Sequence, residues 1–246
     1  MKNSETISKL SPRFRKVLSW ITTLLVPVVL VLTAIRLLMT PAYVIIEYNT
    51  PAFPEDPYGF TKEDRLLWSK IAIEYLLNDE SISFLAELRF PEGQFIPAES
   101  CRFMDDCTVL YNDRELGHMQ DVKHVVGIAL SVWYGSLIAL VVLAIWAWLG
   151  NWVLDYRRGL ALGGWLTAIL IGSLLLFVLI AFGVLFVAFH NVFFDPGTWR
   201  FYFSDTLIRL FPQRFWRDTF IAVGLLAGAT GLAMGYFLRD RTSTQR

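Results

Sequence analysis

Four long apolar runs alternate with polar, proline-bearing stretches along the 246-residue chain. They extend from about Val17 to Met39, Val125 to Leu149, Leu160 to Phe189 and Phe220 to Leu238. About 20 consecutive apolar residues suffice for a helix to cross the hydrocarbon core of a bilayer. A lipid-exposed backbone must satisfy its own hydrogen bonds, so each run predicts a transmembrane α-helix. The expected fold is all-α and membrane-embedded: a four-transmembrane-helix bundle carrying a small mixed α/β cap. The division is a tail (1–16), transmembrane helix 1 (17–39), the cap (40–123), transmembrane helix 2 (124–150), a short loop (151–159), transmembrane helix 3 (160–189), an aromatic loop (190–218), transmembrane helix 4 (219–238) and a second tail (239–246). Lys9, Arg13, Arg15 and Lys16 precede the first run as they would a signal peptide. That run outlasts a typical signal-peptide core, however, and no A-x-A-like cleavage site follows it. It reads as an anchor, with a kink expected at Pro27.

Charge gives the runs an orientation. The first tail (Lys2, Lys9, Arg13, Arg15, Lys16), the short loop (Arg157, Arg158) and the last tail (Arg239, Arg241, Arg246) are all basic, and four crossings place all three on one side. The positive-inside rule makes that side the cytoplasm, so both termini are expected inside, and the cap and aromatic loop outside. The cap holds 16 acidic and 7 basic residues, which a long translocated segment tolerates. The formal net charge is zero, so nothing points to nucleic acid. Cys101 and Cys107 both fall in the cap, a compartment that permits disulfides, so a bridge between them is expected, with two free thiols as the alternative that the spacing also fits.

Within the cap, the β-branched stretch Tyr43 to Tyr48 predicts an extended segment leaving the membrane. Thr61 with Asp64 predicts a capping box opening a helix through Leu66, Trp68, Ile71, Tyr75 and Leu76. Gly224/Gly228 and Gly231/Gly235 are two G-x-x-x-G pairs in the last apolar run. They fit close packing inside the bundle, or, as a sharper reading, a homodimer face.

The candidate chemistry is histidine. His118, His124 and His190 all fall near the outer ends of apolar runs. Imidazole is the usual proton-transfer group near neutral pH, and ionisable groups at a membrane surface are functional candidates. Asp121 lies three residues from both His118 and His124, close enough on a helix to orient one ring. His118 and His124 are six residues apart, on different helix faces, so they do not serve one site together. His124, beside Lys123, reads as a headgroup-facing residue. The H-x-x-D-x-x-H spacing is not a known zinc pattern, so no metal or cofactor is expected. The segment opened by His190 carries Phe193, Phe194, Trp199, Asp205, Arg209, Arg214 and Trp216. An interfacial aromatic belt with a short surface helix capped by Ser204 explains the tryptophans and Arg214. It does not explain the histidine, or why Asp205 and Arg209 share a helix face.

These residues carry a resemblance. Gly117-His118-Met119-x-Asp121-Val122-Lys123, Phe189-His190-x-x-Phe193-Phe194 and Asp205-Thr206-Leu207-Ile208-x-Leu210-Phe211-Pro212-x-x-Phe215-Trp216 resemble the bacterial integral membrane family that includes the lipoprotein intramolecular transacylases. Tyr48-Asn49-Thr50-Pro51 and the Leu66–Leu77 helix with Glu74-Tyr75-Leu76 fit as well. The resemblance covers Tyr43 to Phe237, and the Cys101–Cys107 stretch is an addition to the family's pattern. It implies a protein of the bacterial cytoplasmic membrane whose active face is extracytoplasmic. It also implies a reaction: one ester-linked acyl chain of a diacylglyceryl lipoprotein moves onto the N-terminal cysteine amine, leaving a lyso-lipoprotein. The partners implied are membrane lipid and the diacylated lipoprotein, with homo-oligomerisation less favoured. By the family's positions, His118, oriented by Asp121, serves as base, and His190 serves the oxyanion or returns the proton; the two roles are exchangeable. Phe193, Phe194, Trp199, Asp205, Arg209 and Trp216 are the expected substrate-binding residues. The competing readings are a non-catalytic scaffold whose cap binds an envelope partner, and a transporter. Against the transporter, Arg36 is the one charged residue inside an apolar run, and there is no pair of broken midplane helices.

Overall fold

A computed structural model describes residues 10–99, 101 and 104–239. Lys2, Lys9, Arg241 and Arg246, used above for orientation, lie outside the described residues. The described chain forms α1 (Pro12–Leu38), α2 (Pro41–Tyr48), α3 (Lys62–Leu77), α4 (Ser83–Ala86), α5 (Asp113–Leu149), α6 (Val153–Phe193), α7 (Thr206–Leu210) and α8 (Gln213–Leu238). Four of these, α1, α5, α6 and α8, are long and apolar enough to cross a membrane. The two longest overrun their apolar sequence: α5 begins about three turns before Val125. α1 continues through Pro27. α6 is interrupted at Ala181, whose φ of −144° and ψ of 46° are not helical.

The chain divides into two compact units. The first comprises Met1–Ile35, Ala129–Leu176 and Ala222–Arg246. Its packing depends on small residues. A Cβ built on Gly164 would lie 2.5 Å from the Gly231 carbonyl oxygen, and one on Gly231 would lie 2.7 Å from that of Gly164. Gly224 meets Leu175, Gly228 meets Ile171 and Gly235 meets Trp165. Both G-x-x-x-G pairs of α8 are therefore used within the chain, against α6, as backbones that approach closely in lipid require. α1 meets α6 the same way: Gly159 and Gly163 face Thr22 and Val26, and the Thr23 hydroxyl donates to the Gly159 carbonyl at 3.1 Å.

The second unit comprises Arg36–Ile128 and Phe177–Ile221. It holds α2, α3, α4 and α7, the first turns of α5 and α8, and the end of α6. The expected mixed α/β cap is corrected here, since the described residues contain no strand, only an isolated bridge between Arg89 and Val109. Tyr43–Tyr48 is helical in spite of its β-branched residues. Thr40 caps it by accepting from the Tyr43 amide, and Pro41 supplies a preset first helical φ. Thr61 and Asp64 form a reciprocal capping box on α3. The core of the unit gathers Trp68, Ala72 and Tyr75 of α3, Leu85 of α4, Met119 of α5, and Leu207 and Leu210 of α7 around Leu110 and Tyr111. Cys101 and Cys107 are bonded, with Cα atoms 5.1 Å apart.

Candidate functional site

His118 and His190 meet inside the second unit. Their rings lie 6.2 Å apart, centre to centre, and nearly parallel at 23°. His118 sits in the second turn of α5 and is 9% exposed. Phe194 presents an edge to it at 4.8 Å, and Phe201 lies at 5.3 Å. His190, near the end of α6, lies close to both Phe186 at 4.1 Å and Trp199 at 4.7 Å. The two imidazoles are thus walled by rings that bring no charge, with His118 buried and His190 half-buried.

The tautomer of His190 follows from one contact. Its Nδ1 is 2.7 Å from the Phe186 carbonyl one turn earlier in α6. A carbonyl oxygen only accepts, so Nδ1 carries the hydrogen and donates it. In the neutral ring, Nε2 then holds the free lone pair and can take a proton. The Nδ1 of His118 is buried without a protein partner. An orphaned buried polar atom costs about 1–3 kcal/mol, which a ligand group can offset by bonding to it.

The other sequence candidates divide into those brought together and those placed elsewhere. Phe194 and Trp199 belong to the wall, both buried. Asp121 does not join: it is exposed and bonds to neither histidine, and the Phe186 carbonyl does the orienting expected of it, on the other ring. His124 is exposed, while Lys123 is drawn to the Asn78 side chain and the Glu80 carbonyl. Phe193 is 47% exposed and packs on Phe189. Trp216 packs on Phe211 and Phe215. Asp205 is buried and spent on local structure, its Oδ2 accepting the Tyr202 amide at 2.8 Å and the Arg114 guanidinium at 3.4 Å. Burial pushes its carboxyl above the usual range, and those two donors oppose the shift. Asp205, not Ser204, is the N-cap of α7.

Arg209 shares a helix face with Asp205, but its side chain points to another element. Its guanidinium pairs with Asp56 at 3.0 Å, donates to the Tyr58 carbonyl and lies 3.5 Å over the Phe60 ring. Both members of that pair are almost fully buried. Arg214 likewise staples the turn after α2, donating to the Ala52 and Pro51 carbonyls, and pairs with Asp218. Three contributors escaped the sequence reading: Phe201 in the wall, the Phe186 carbonyl, and Glu115. The Glu115 carboxylate accepts the amides of Asn112 (2.9 Å) and Leu207 (2.7 Å). Phe201 could have been found from the aromatic run that it shares with Trp199; the other two left no signal.

Comparison with known proteins identifies the family and the fold. A family model described as the lipoprotein intramolecular transacylase Lit matches residues 20–216. A protein of Aquifex aeolicus (strain VF5), described only as uncharacterized, is 29% identical over 235 residues, covering 92% of this chain and 99% of that one. Two solved structures share the fold. One is the membrane-integral lipoprotein intramolecular transacylase Lit from Bacillus cereus, with TM-score 0.56, 17% identity and coverage of 91% of this chain and 94% of that one. The other is a single-substitution variant of it, with TM-score 0.63, 18% identity and coverage of 92% and 91%.

Proposed function

Since the chain belongs to the lipoprotein intramolecular transacylase family, a family of membrane acyltransferases, we propose that it moves an ester-linked acyl chain of a diacylglyceryl lipoprotein onto the amine of the same molecule's N-terminal cysteine, leaving a lyso-lipoprotein. The observation that carries this reading is the pair of facing imidazoles, one with its tautomer set by a backbone carbonyl and one with an unpartnered nitrogen.

The chemistry needs little else. An amide is more stable than an ester, so the shift proceeds without an outside energy source. Donor and acceptor share one molecule, so holding them together supplies much of the rate. The N-terminal amine, with an ordinary pKa of about 7.7–8.0, is partly neutral near neutral pH, its ammonium proton released to solvent, and this neutral amine must shed one further proton as it forms the amide. His190 Nε2 takes that proton as the amine nitrogen bonds to the ester carbonyl carbon. The oxygen of the tetrahedral adduct becomes an anion, and an imidazole N–H of His118 donates to it. Collapse re-forms the carbonyl and breaks the bond to the glycerol oxygen, which takes the proton back from His190. The roles are thus the reverse of those assigned from position alone, because the Phe186 carbonyl leaves Nε2 of His190 free as the acceptor. Phe194, Trp199 and Phe201 keep water from competing for the ester.

On this reading both termini are cytoplasmic and the histidines work on the extracytoplasmic face of the bacterial cytoplasmic membrane, as the basic tails and loop support. The test uses the purified protein with a diacylated lipopeptide, and the product is read by mass spectrometry. His118→Asn and His190→Asn each lose at least about 100-fold in rate, with the fatty acyl group left on the glycerol, whereas His124→Asn keeps most of the activity. Wild-type turnover in either of the first two variants refutes the assignment.

A further inference from the structure

Glu115 opens α5 one turn ahead of His118 and is 1% exposed. Its Oε2 accepts the Asn112 amide, and Asn112 Oδ1 accepts the Glu115 amide at 3.0 Å, a reciprocal cap on α5. That cap leaves Oε1 for another donor, and the donor comes from 92 residues along the chain: the Leu207 amide at 2.7 Å. α7 needs it. The side chain of its own N-cap, Asp205, makes no capping bond, so an orphan amide of the first turn is satisfied from α5. Two further ties bind the same segments, the Thr206 hydroxyl donating to the Leu110 carbonyl and Arg114 pairing with Asp205. All three fasten the C-terminal end of the aromatic loop to the start of α5. The earlier part of that loop carries Phe194, Trp199 and Phe201, the rings that cover the two imidazoles.

We propose that Glu115 is a positioning residue: through the Leu207 amide it holds the aromatic loop closed over His118 and His190. Both of its oxygens are occupied by amides, one at the start of α5 and one in the loop, so it acts on the reaction by holding these two together and not by touching substrate. The residue type is constrained accordingly. Two acceptor oxygens are needed, one toward each amide. Glutamine has the same shape but turns an NH2 toward one of the amides, so a donor faces a donor and that tie is lost. Its catalytic consequence rests on the transacylase reading; its effect on the loop does not.

The full-length protein in detergent is treated with diethyl pyrocarbonate, and labelling of each histidine is followed by peptide mass spectrometry. The chain has three histidines, and exposed His124 serves as an internal reference for reagent and for global unfolding. In Glu115→Gln the ratio of His118 to His124 labelling rises at least about fivefold as the loop lifts. In the lipopeptide assay kcat falls about ten- to a hundredfold, the scale of leaving one buried amide unsatisfied, while KM changes little. Thr206→Val removes a neighbouring tie without changing charge, and moves both readouts the same way by less. An unchanged labelling ratio in folded Glu115→Gln overturns the proposal, whether activity falls or not. So does a rise in KM with kcat unchanged, which means contact with substrate. If Glu115→Gln does not yield folded protein, the ratio in Thr206→Val decides, and an unchanged value there overturns the proposal. Should the wild type prove inactive on lipopeptides, the transacylase reading falls while the labelling ratio still decides the role of Glu115.

Discussion

Replacing Asp56 tests whether Arg209 serves the architecture or the substrate. The pair is nearly solvent-free, with side-chain exposures of 1% and 0%, and Asp56 also accepts the Phe60 amide at 2.7 Å. Asp56→Asn leaves the guanidinium buried without a counter-charge. Breaking a buried pair from one side costs about 3–5 kcal/mol, because the remaining charge is uncompensated. At about 1.4 kcal/mol per decade, local opening becomes two to three and a half decades more frequent, up to the limit set by global unfolding. Hydrogen exchange in nanodiscs reads this directly at the amides of Phe60, Arg209 and Phe211, all bonded within this region. Arg209→Met alone strands the carboxylate and has a similar effect. The double replacement Asp56→Leu with Arg209→Met removes both charges and recovers most of the protection, as apolar substitutes for buried pairs do. Acyl transfer recovers with it if Arg209 is structural. Unchanged exchange in Asp56→Asn, or lost transfer in a double variant with restored protection, refutes the reasoning and returns Arg209 to the substrate.

Two further outcomes follow from the packing. Burial, reinforced by the neighbouring Asp218 carboxyl, pushes Glu47 up from 4.5 to about 7, and Glu47 is 4% exposed. The folded chain therefore holds this proton more tightly than the unfolded chain, so the stability it confers is present below about pH 4.5 and is lost as pH rises through about 7; by pH 8 Glu47→Gln melts above wild type, by at most about 3 kcal/mol, and equals it near pH 4.5. Gly164→Ala places a methyl against backbone atoms of Gly231 and Gly235, and lowers stability in detergent by about 1–3 kcal/mol, whereas Gly172→Ala, where a Cβ meets nothing within 4 Å, is neutral; equal melting temperatures for the two refute the close-packing account.

The features visible in the sequence were those written in contiguous residues. The apolar runs announced four crossing helices because a bilayer imposes a length and forbids an unpaired backbone. The histidines stand out because only three exist and all three lie near the ends of such runs. Tyr43–Tyr48 is helical against its β-branched composition because β propensity mostly reflects packing context, and the decisive residues, Thr40 and Pro41, lie just outside the stretch. Asp205 and Arg209 lie four residues apart, but a shared face says nothing of where a long guanidinium ends. Its partner, Asp56, lies 153 residues away. Asp121 looked like the orienting group because carboxylates at that spacing often are. The group that does orient a ring is a backbone carbonyl, and every helical histidine has such a carbonyl one turn earlier, so no residue type marks it.

The same contrast explains why the site needs so few charged groups. An intramolecular transfer does not have to bind a second substrate or hold a leaving group for later use; it has to place one acceptor and one donor at a fixed spacing in a dry enclosure. Here each requirement falls on a different kind of interaction. The spacing of the imidazoles is set by the ends of two helices, α5 and α6. The protonation pattern of His190 is set by its own helix backbone. The dryness is set by rings on a loop, and a loop is the least constrained of the three. That loop carries non-local polar ties to the start of α5: Glu115 to the Leu207 amide, Thr206 to the Leu110 carbonyl and Arg114 to Asp205. Carboxylates and hydroxyls suit this task because each bond to a backbone group fixes a direction, which apolar contacts alone do not. On the proposed mechanism, Glu115 and Asp205 act on the reaction by holding its walls, and the proton transfers fall to the two imidazoles.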